Sequence, residues 1–122
     1  TDAEWMMLER HLGMDAGELE GLENWRGHAG ELLKTGEQGI GFDALYGGAA
    51  VYALSTAYNS RYVYKNEGAY FWSSDQIVIS DSLSNGIVRN ISLYHSGIRR
   101  MTSRLISTTE NVRPSYSVRL VK

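Results

Sequence analysis

Cysteine is absent from this 122-residue chain, and proline occurs once. The first absence excludes a disulfide framework, a thiolate nucleophile and a cysteine zinc site together, so stability must come from packing. Long apolar runs are also missing. Nothing approaches the roughly 20 residues that a helical membrane span requires, and the start of the chain carries no signal peptide or lipid-attachment pattern. Histidine is scarce, with His11, His28 and His95 in three separate segments, and no H-E-x-x-H, G-x-S-x-G or phosphate-loop pattern occurs. A nucleophile needs a base within reach and a third group to orient it, and nothing in the sequence selects such a set. The expectation is therefore a protein that is not an enzyme and that needs no cofactor and no metal. Asp75, Asp81 and Asn85 form a conceivable cation loop, but turn formation is their commoner use.

An apolar content of 43% with 21% charged residues suits a globular domain that buries a real core. Charge is unevenly divided. Residues 1–75 carry 12 acidic and 5 basic side chains, whereas residues 76–122 carry 2 acidic and 7 basic. That polarity reads as acidic helix surface opposing a basic strand face, with a basic ligand-binding patch as the competing reading. Nucleic acid is not expected as a partner. The arginines of the second part follow no recognised motif, and the sequence pI of about 5.9 is not that of a nucleic-acid binder.

The clearest helix is "TDAEWMMLERHLG". Thr1 and Glu4 form a capping box, Trp5, Leu8 and Leu12 recur at helical spacing, and Gly13 suits a left-handed stop, so a helix over about 2–12 is expected. Seven glycines then break residues 14–41 into short turns, the most helical being Gly27–Lys34 with Leu32 and Leu33 inward. From Phe42 the pattern becomes strand-like, in "GFDALYGGAAVYAL", "RYVYK", "AYFW", "QIVIS", "GIVRNISLYH", "GIRRMTSRLIS" and "SYSVRLVK". Helices first and strands after predict one α+β domain over 1–122 with an antiparallel sheet. In "NISLYH", Ile91 and Leu93 alternate with Asn90, Ser92 and Tyr94, which predicts one buried and one wet face.

The stretch "GAYFWSSD" sets Phe71 and Trp72 beside two hydroxyls and a carboxylate. Phe71 and Trp72 are expected to enter the core from a central strand, since adjacent strand residues point to opposite faces and at least one ring must pack, and Ser73, Ser74 and Asp75 suit a following turn or bulge. An exposed aromatic platform for a sugar ring is the competing reading. Tyrosine is abundant, at 8 residues against 2 phenylalanines. With Ser, Asn, Gly and Arg it gives residues 58–66 and 84–104 the composition of an adaptable recognition surface, although a tyrosine-rich sheet with a wet face has the same composition.

In order, "TDAEW", "GFDALYGG", "YFWSSD" and "YSVRLVK" resemble the pattern P-T-D-A-E-W, G-F-x-A-L-P-G-G, W-W-S-S-T and G-F-S-V-R-x-V of the Fibrobacter succinogenes major paralogous domain. The resemblance spans Thr1 to Lys122. Tyr46 replaces the family's Pro, Asp75 its Thr, Ser115 and Tyr116 its Gly-Phe, and Leu120 a frequent Cys. The family is similar to the C-type-lectin-like and formylglycine-generating-enzyme superfold. That likeness implies two N-terminal helical segments flanking a twisted, loop-rich antiparallel sheet. It further implies a secreted or surface-anchored bacterial, hence extracellular, binding domain that recognises a glycan or a protein through its late strands and loops. The implied face comprises Asn90, Ser92, Tyr94, Arg99 and Arg100, with Tyr62 and Tyr64 at its margin. Relatives carry a strand before the "TDAEW" helix, so "SYSVRLVK" is expected to have an open edge. Such an edge invites strand-mediated self-association, an upstream partner segment, or a structural role within a larger surface protein or pilus.

Overall fold

The computed structural model describes residues 1–53, 61–80, 83–104 and 112–117. The first helix, α1 (Asp2–His11), begins as its sequence dictates. Thr1 Oγ1 accepts from the Glu4 amide at 3.2 Å while the Glu4 carboxylate accepts from the Thr1 amine at 2.7 Å. It ends at Gly13, whose φ of +93° is costly for any residue with a Cβ. Strand β1 (Trp25–Arg26) and helix α2 (Ala29–Leu32) follow, so the second helical segment is shorter than the expected 27–34. Gly30 of α2 presses on the next layer so closely that a Cβ there would lie 2.0 Å from the Gly97 carbonyl oxygen.

Six strands complete the fold: β2 (Ala49–Ala53), β3 (Arg61–Val63), β4 (Gly68–Ser80), β5 (Leu83–Ser92), β6 (Ile98–Arg104) and β7 (Val112–Ser115). They form two antiparallel sheets, β1-β6-β5-β4 and β3-β2-β7, so the chain is α+β, mostly strand with two short helices. The expected strand over "GFDALYGGAAVYAL" starts only at Ala49. Positive φ at Gly41, Asp43 and Gly48 keeps the preceding residues in a loop. "AYFW" and "QIVIS" join into the single strand β4, whose register shifts between Trp72 and Gln76. Ser73, Ser74 and Asp75 form that bulge, with Ser73 Oγ accepting from the Asp75 amide at 3.3 Å. Of the expected C-terminal strand, Ser117 bridges Phe71 in parallel, and 118–122, where the open edge was expected, lie outside the described residues.

Register decides which side chains share a face. Arg26, Ile98, Ile91 and Ala69 form one row across β1, β6, β5 and β4, and Arg100, Arg89 and Phe71 form the next on the same face. This inner face meets α1 and the α2 segment. Trp5 sits 6.0 Å from Phe71 and 5.8 Å from Phe42 between ring centroids, with Leu33, Ala44, Ile91 and Ile98 closing the core. Each such large apolar side chain contributes about 1.5–3 kcal/mol on burial.

The inner face also holds five charges. Asp2 and Glu9 lie two helical turns apart on one side of α1 and meet three buried arginines. Arg100 grips Asp2 through Nη2 at 2.5 Å and Nε at 3.1 Å. Arg89 donates to Asp2 at 2.6 Å and to Glu9 at 2.5 Å, and its guanidinium lies 5.9 Å from the Trp5 ring centre. Arg26 adds Glu9 at 3.1 Å and the Leu19 carbonyl at 2.7 Å. The Asp2 amide donates to Asp75 Oδ2, which binds the helix start to the β4 bulge. Two arginines of the basic second part, Arg89 and Arg100, are thus paired with carboxylates of the acidic first part in the interior. Burial would raise the Asp2 pKa, but the hydrogen bonds and charges of Arg100 and Arg89 outweigh it and hold the carboxyl below its ordinary value.

Removing one partner of a buried ion cluster leaves the others uncompensated, so Asp2→Ala is expected to cost about 3–5 kcal/mol in urea unfolding. A folded pKa below the unfolded one means that the unfolded chain binds the proton more readily. The Asp2 contribution is therefore complete above about pH 4 and is lost as pH falls through the depressed folded value. Denaturation midpoints measured from pH 6 down to pH 2 should show this loss in the wild type and a flatter profile in Asp2→Asn.

Candidate functional site

With α1 covering one face of the four-stranded sheet, the alternate residues form the other. Trp25, Arg99, Asn90 and Tyr70 face one another in register across β1, β6, β5 and β4. They floor a concavity of about 370 Å³, walled by Tyr64 and Glu67 on one side, Tyr94 and His95 on another, and Tyr116 at the end of β7. Six aromatic rings thus surround a small polar floor.

Local chemistry sets each wall. Tyr64 and Asn66 adopt positive φ in a tight turn in which the Tyr64 carbonyl accepts from the Glu67 and Gly68 amides, both at 3.0 Å. Gly48 lies under this turn, where a Cβ would meet the Val63 carbonyl oxygen at 2.3 Å. The turn is fixed to the opposite wall by the Leu93 amide, which donates to the Glu67 carbonyl at 2.8 Å. Ser92 Oγ accepts from the Tyr94 amide at 3.2 Å and directs the chain outward. His95 lies flat on Trp25, ring centres 4.1 Å apart, while Tyr70 and Tyr116 stack at 5.4 Å. Burial, followed by the neighbouring Tyr64 and Tyr116 phenols, raises the Tyr70 pKa against the opposing effect of Arg99.

Of the seven residues expected at the recognition face, Tyr64, Asn90, Ser92, Tyr94 and Arg99 line this concavity. Tyr62 lies outside its lining, 73% exposed on β3. Arg100 faces the interior, because it neighbours Arg99 on a strand and its guanidinium is committed to Asp2. The expected wet face also needs correction. Asn90 and Ser92 are 4% and 9% exposed, sunk in the floor, whereas Leu93 is 50% exposed because β5 ends at Ser92.

Trp25, Tyr70, His95 and Tyr116 escaped the sequence reading. Alternation could have found Tyr70, which shares its face with Trp72 and opposes Phe71. Trp72, expected in the core with Phe71, instead turns away from it, because adjacent strand residues point to opposite faces, and meets Tyr116 at 4.9 Å. Of the conceivable cation ligands, Asp75 is occupied by the Asp2 amide and Asp81 lies outside the described residues. Among the described residues no cluster of three His, Asp or Glu side chains is placed to hold a metal ion, and no helix is long and apolar enough to cross a membrane.

A family model described as the Fibrobacter succinogenes major domain matches residues 1–122. No curated protein and no solved structure matches the chain.

Two adjacent arginines with opposite environments offer a check on this geometry. Arg99 pairs with Glu23 at 3.0 Å near the surface, and such pairs are worth under about 1 kcal/mol. Arg99→Ala should therefore leave the urea midpoint nearly unchanged, while Arg100→Ala should cost about 3 kcal/mol or more.

Proposed function

Because the chain belongs to the Fibrobacter succinogenes major domain family, we propose that it is a C-type-lectin-like, non-enzymatic ligand-binding domain of a secreted or surface-anchored bacterial protein, recognising a glycan or a protein. The observation that carries this reading is the concavity. It sets six aromatic rings around the buried polar side chains of Asn90 and Ser92, which is the combination of contact area and fixed hydrogen-bonding groups that recognition sites use.

Part of the family motifs serves the frame. Thr1 caps α1, Asp2 binds Arg89 and Arg100, Trp5 and Phe71 form the core, and Gly48 admits the Val63 carbonyl. These motif residues build the frame. Tyr94, His95 and Arg99 lie outside the motifs and line the concavity beside Tyr70 and Tyr116, which lie within them. A catalytic reading gains little. His28 Nδ1 lies 3.2 Å from Ser96 Oγ, but among the described residues no carboxylate hydrogen-bonds to that histidine. The alternative, assembly through an open terminal strand, concerns residues beyond Ser117.

The test is binding of the purified domain to a glycan array and to a panel of extracellular-matrix proteins, beside Tyr94→Ala and Arg99→Ala. Selective binding that both variants lose is the expected outcome. Silence from a folded, monomeric sample across both panels contradicts the reading.

A further inference from the structure

Resting on the binding-domain reading above, we infer that the ligand is a neutral carbohydrate. The floor of the concavity contains hydrogen-bonding capacity that the protein leaves unspent. Asn90 is 4% exposed, and its Nδ2 donates to the carbonyls of Ala69 at 3.2 Å and Ile91 at 3.4 Å. Those two acceptors fix the orientation of the amide. Its Oδ1 then remains an acceptor with no partner among the described residues. Ser92 Oγ accepts from the Tyr94 amide, which leaves the hydroxyl proton to donate. Arg99 uses Nε and Nη2 on Glu23 and keeps Nη1.

One acceptor between two donors suits a group that both donates and accepts, and the hydroxyls of a sugar do both. A sugar ring also has an apolar face, and the Tyr70 and Tyr116 rings, stacked on each other with 19° between their planes, line the same concavity and offer aromatic surface for it. A site that hydrogen-bonds hydroxyls in a buried setting discriminates strongly against ligands that lack them.

Charge narrows the class. Among the described residues, the fixed charges lining the concavity are Arg99 and Glu67, and Arg99 is already neutralised by Glu23 at 3.0 Å. The surplus is therefore negative, which disfavours uronic and other acidic sugars and leaves an uncharged chain as the better fit. A volume of about 370 Å³ open to solvent accommodates a short stretch of such a chain.

Isothermal titration at pH 7.5 and low salt tests this with neutral gluco-, manno- and xylo-hexaoses against hexagalacturonate, using wild type, Arg99→Gln and Tyr116→Leu. Far-ultraviolet circular dichroism checks that each variant is folded, and Ser92→Ala serves as a milder probe of the floor. The expected result is binding of at least one neutral hexaose, weakened about tenfold or more in Arg99→Gln and Tyr116→Leu, with hexagalacturonate much weaker. Preferential binding of hexagalacturonate overturns the inference, as does neutral-sugar binding that all three variants retain. If neutral sugars fail while a matrix protein binds in a Tyr94-dependent way, this inference falls and the binding-domain reading stands. Failure of every sugar and every protein removes both.

Discussion

Two carboxylates on one face of a helix, Asp2 and Glu9, engage three arginines inside the protein, and the rest of the architecture follows from that contact. Arg89 and Arg100 are cross-strand partners on β5 and β6, so both point to the same side of the sheet. Attaching them to α1 decides which side is covered. The neighbours Asn90 and Arg99 must then face the other way, because side chains alternate along a strand. Slipping either strand by one residue would drive a guanidinium into the concavity and a polar floor residue into the core.

The energetic role of such a cluster is specific. Desolvating five charges is costly, and a well-packed apolar replacement is often as stable. What the ionic version adds is an orientation that an apolar patch lacks. Asp2 accepts from two arginines of two strands, and its own amide reaches Asp75 in the β4 bulge, so one residue joins α1 to three strands. Trp5 lies under the Arg89 guanidinium and against Phe71, tying the same helix to the apolar core. Among the described residues no helix covers the opposite face, and exposed or partly exposed rings are concentrated there.

Local signals carried the frame of this fold into the sequence legibly. The capping box at Thr1 and Glu4, the stop at Gly13, the bulge at Ser73–Asp75 and the α+β order all follow from short-range chemistry and are all present. Five of the residues that the resemblance implied for a recognition face line one concavity, and for Asn90 and Ser92 the alternation along β5 was visible in the sequence. Long-range pairing was not legible. Arg99 and Arg100 are chemically identical neighbours, and only the register against β5 and the position of α1 separate a surface guanidinium from a buried one. Trp25 was equally hidden, since a two-residue strand has no periodicity to detect, and its place beside Arg99 exists only through pairing with β6. Leu93 looked buried because nothing local announces that β5 ends at Ser92.

The account rests on the helix and the sheet being joined through Asp2 and Arg100 as a unit, beyond what each side chain does alone. A double-mutant cycle with Asp2→Ala, Arg100→Ala and the double variant, read by urea unfolding at pH 7, measures that coupling. A coupling of about 2–3 kcal/mol is expected, at the upper end for residues in one ion-pair network. A coupling below about 0.5 kcal/mol would mean that the two side chains act independently, and the division of the sheet into a covered face and an open concave face would need another cause.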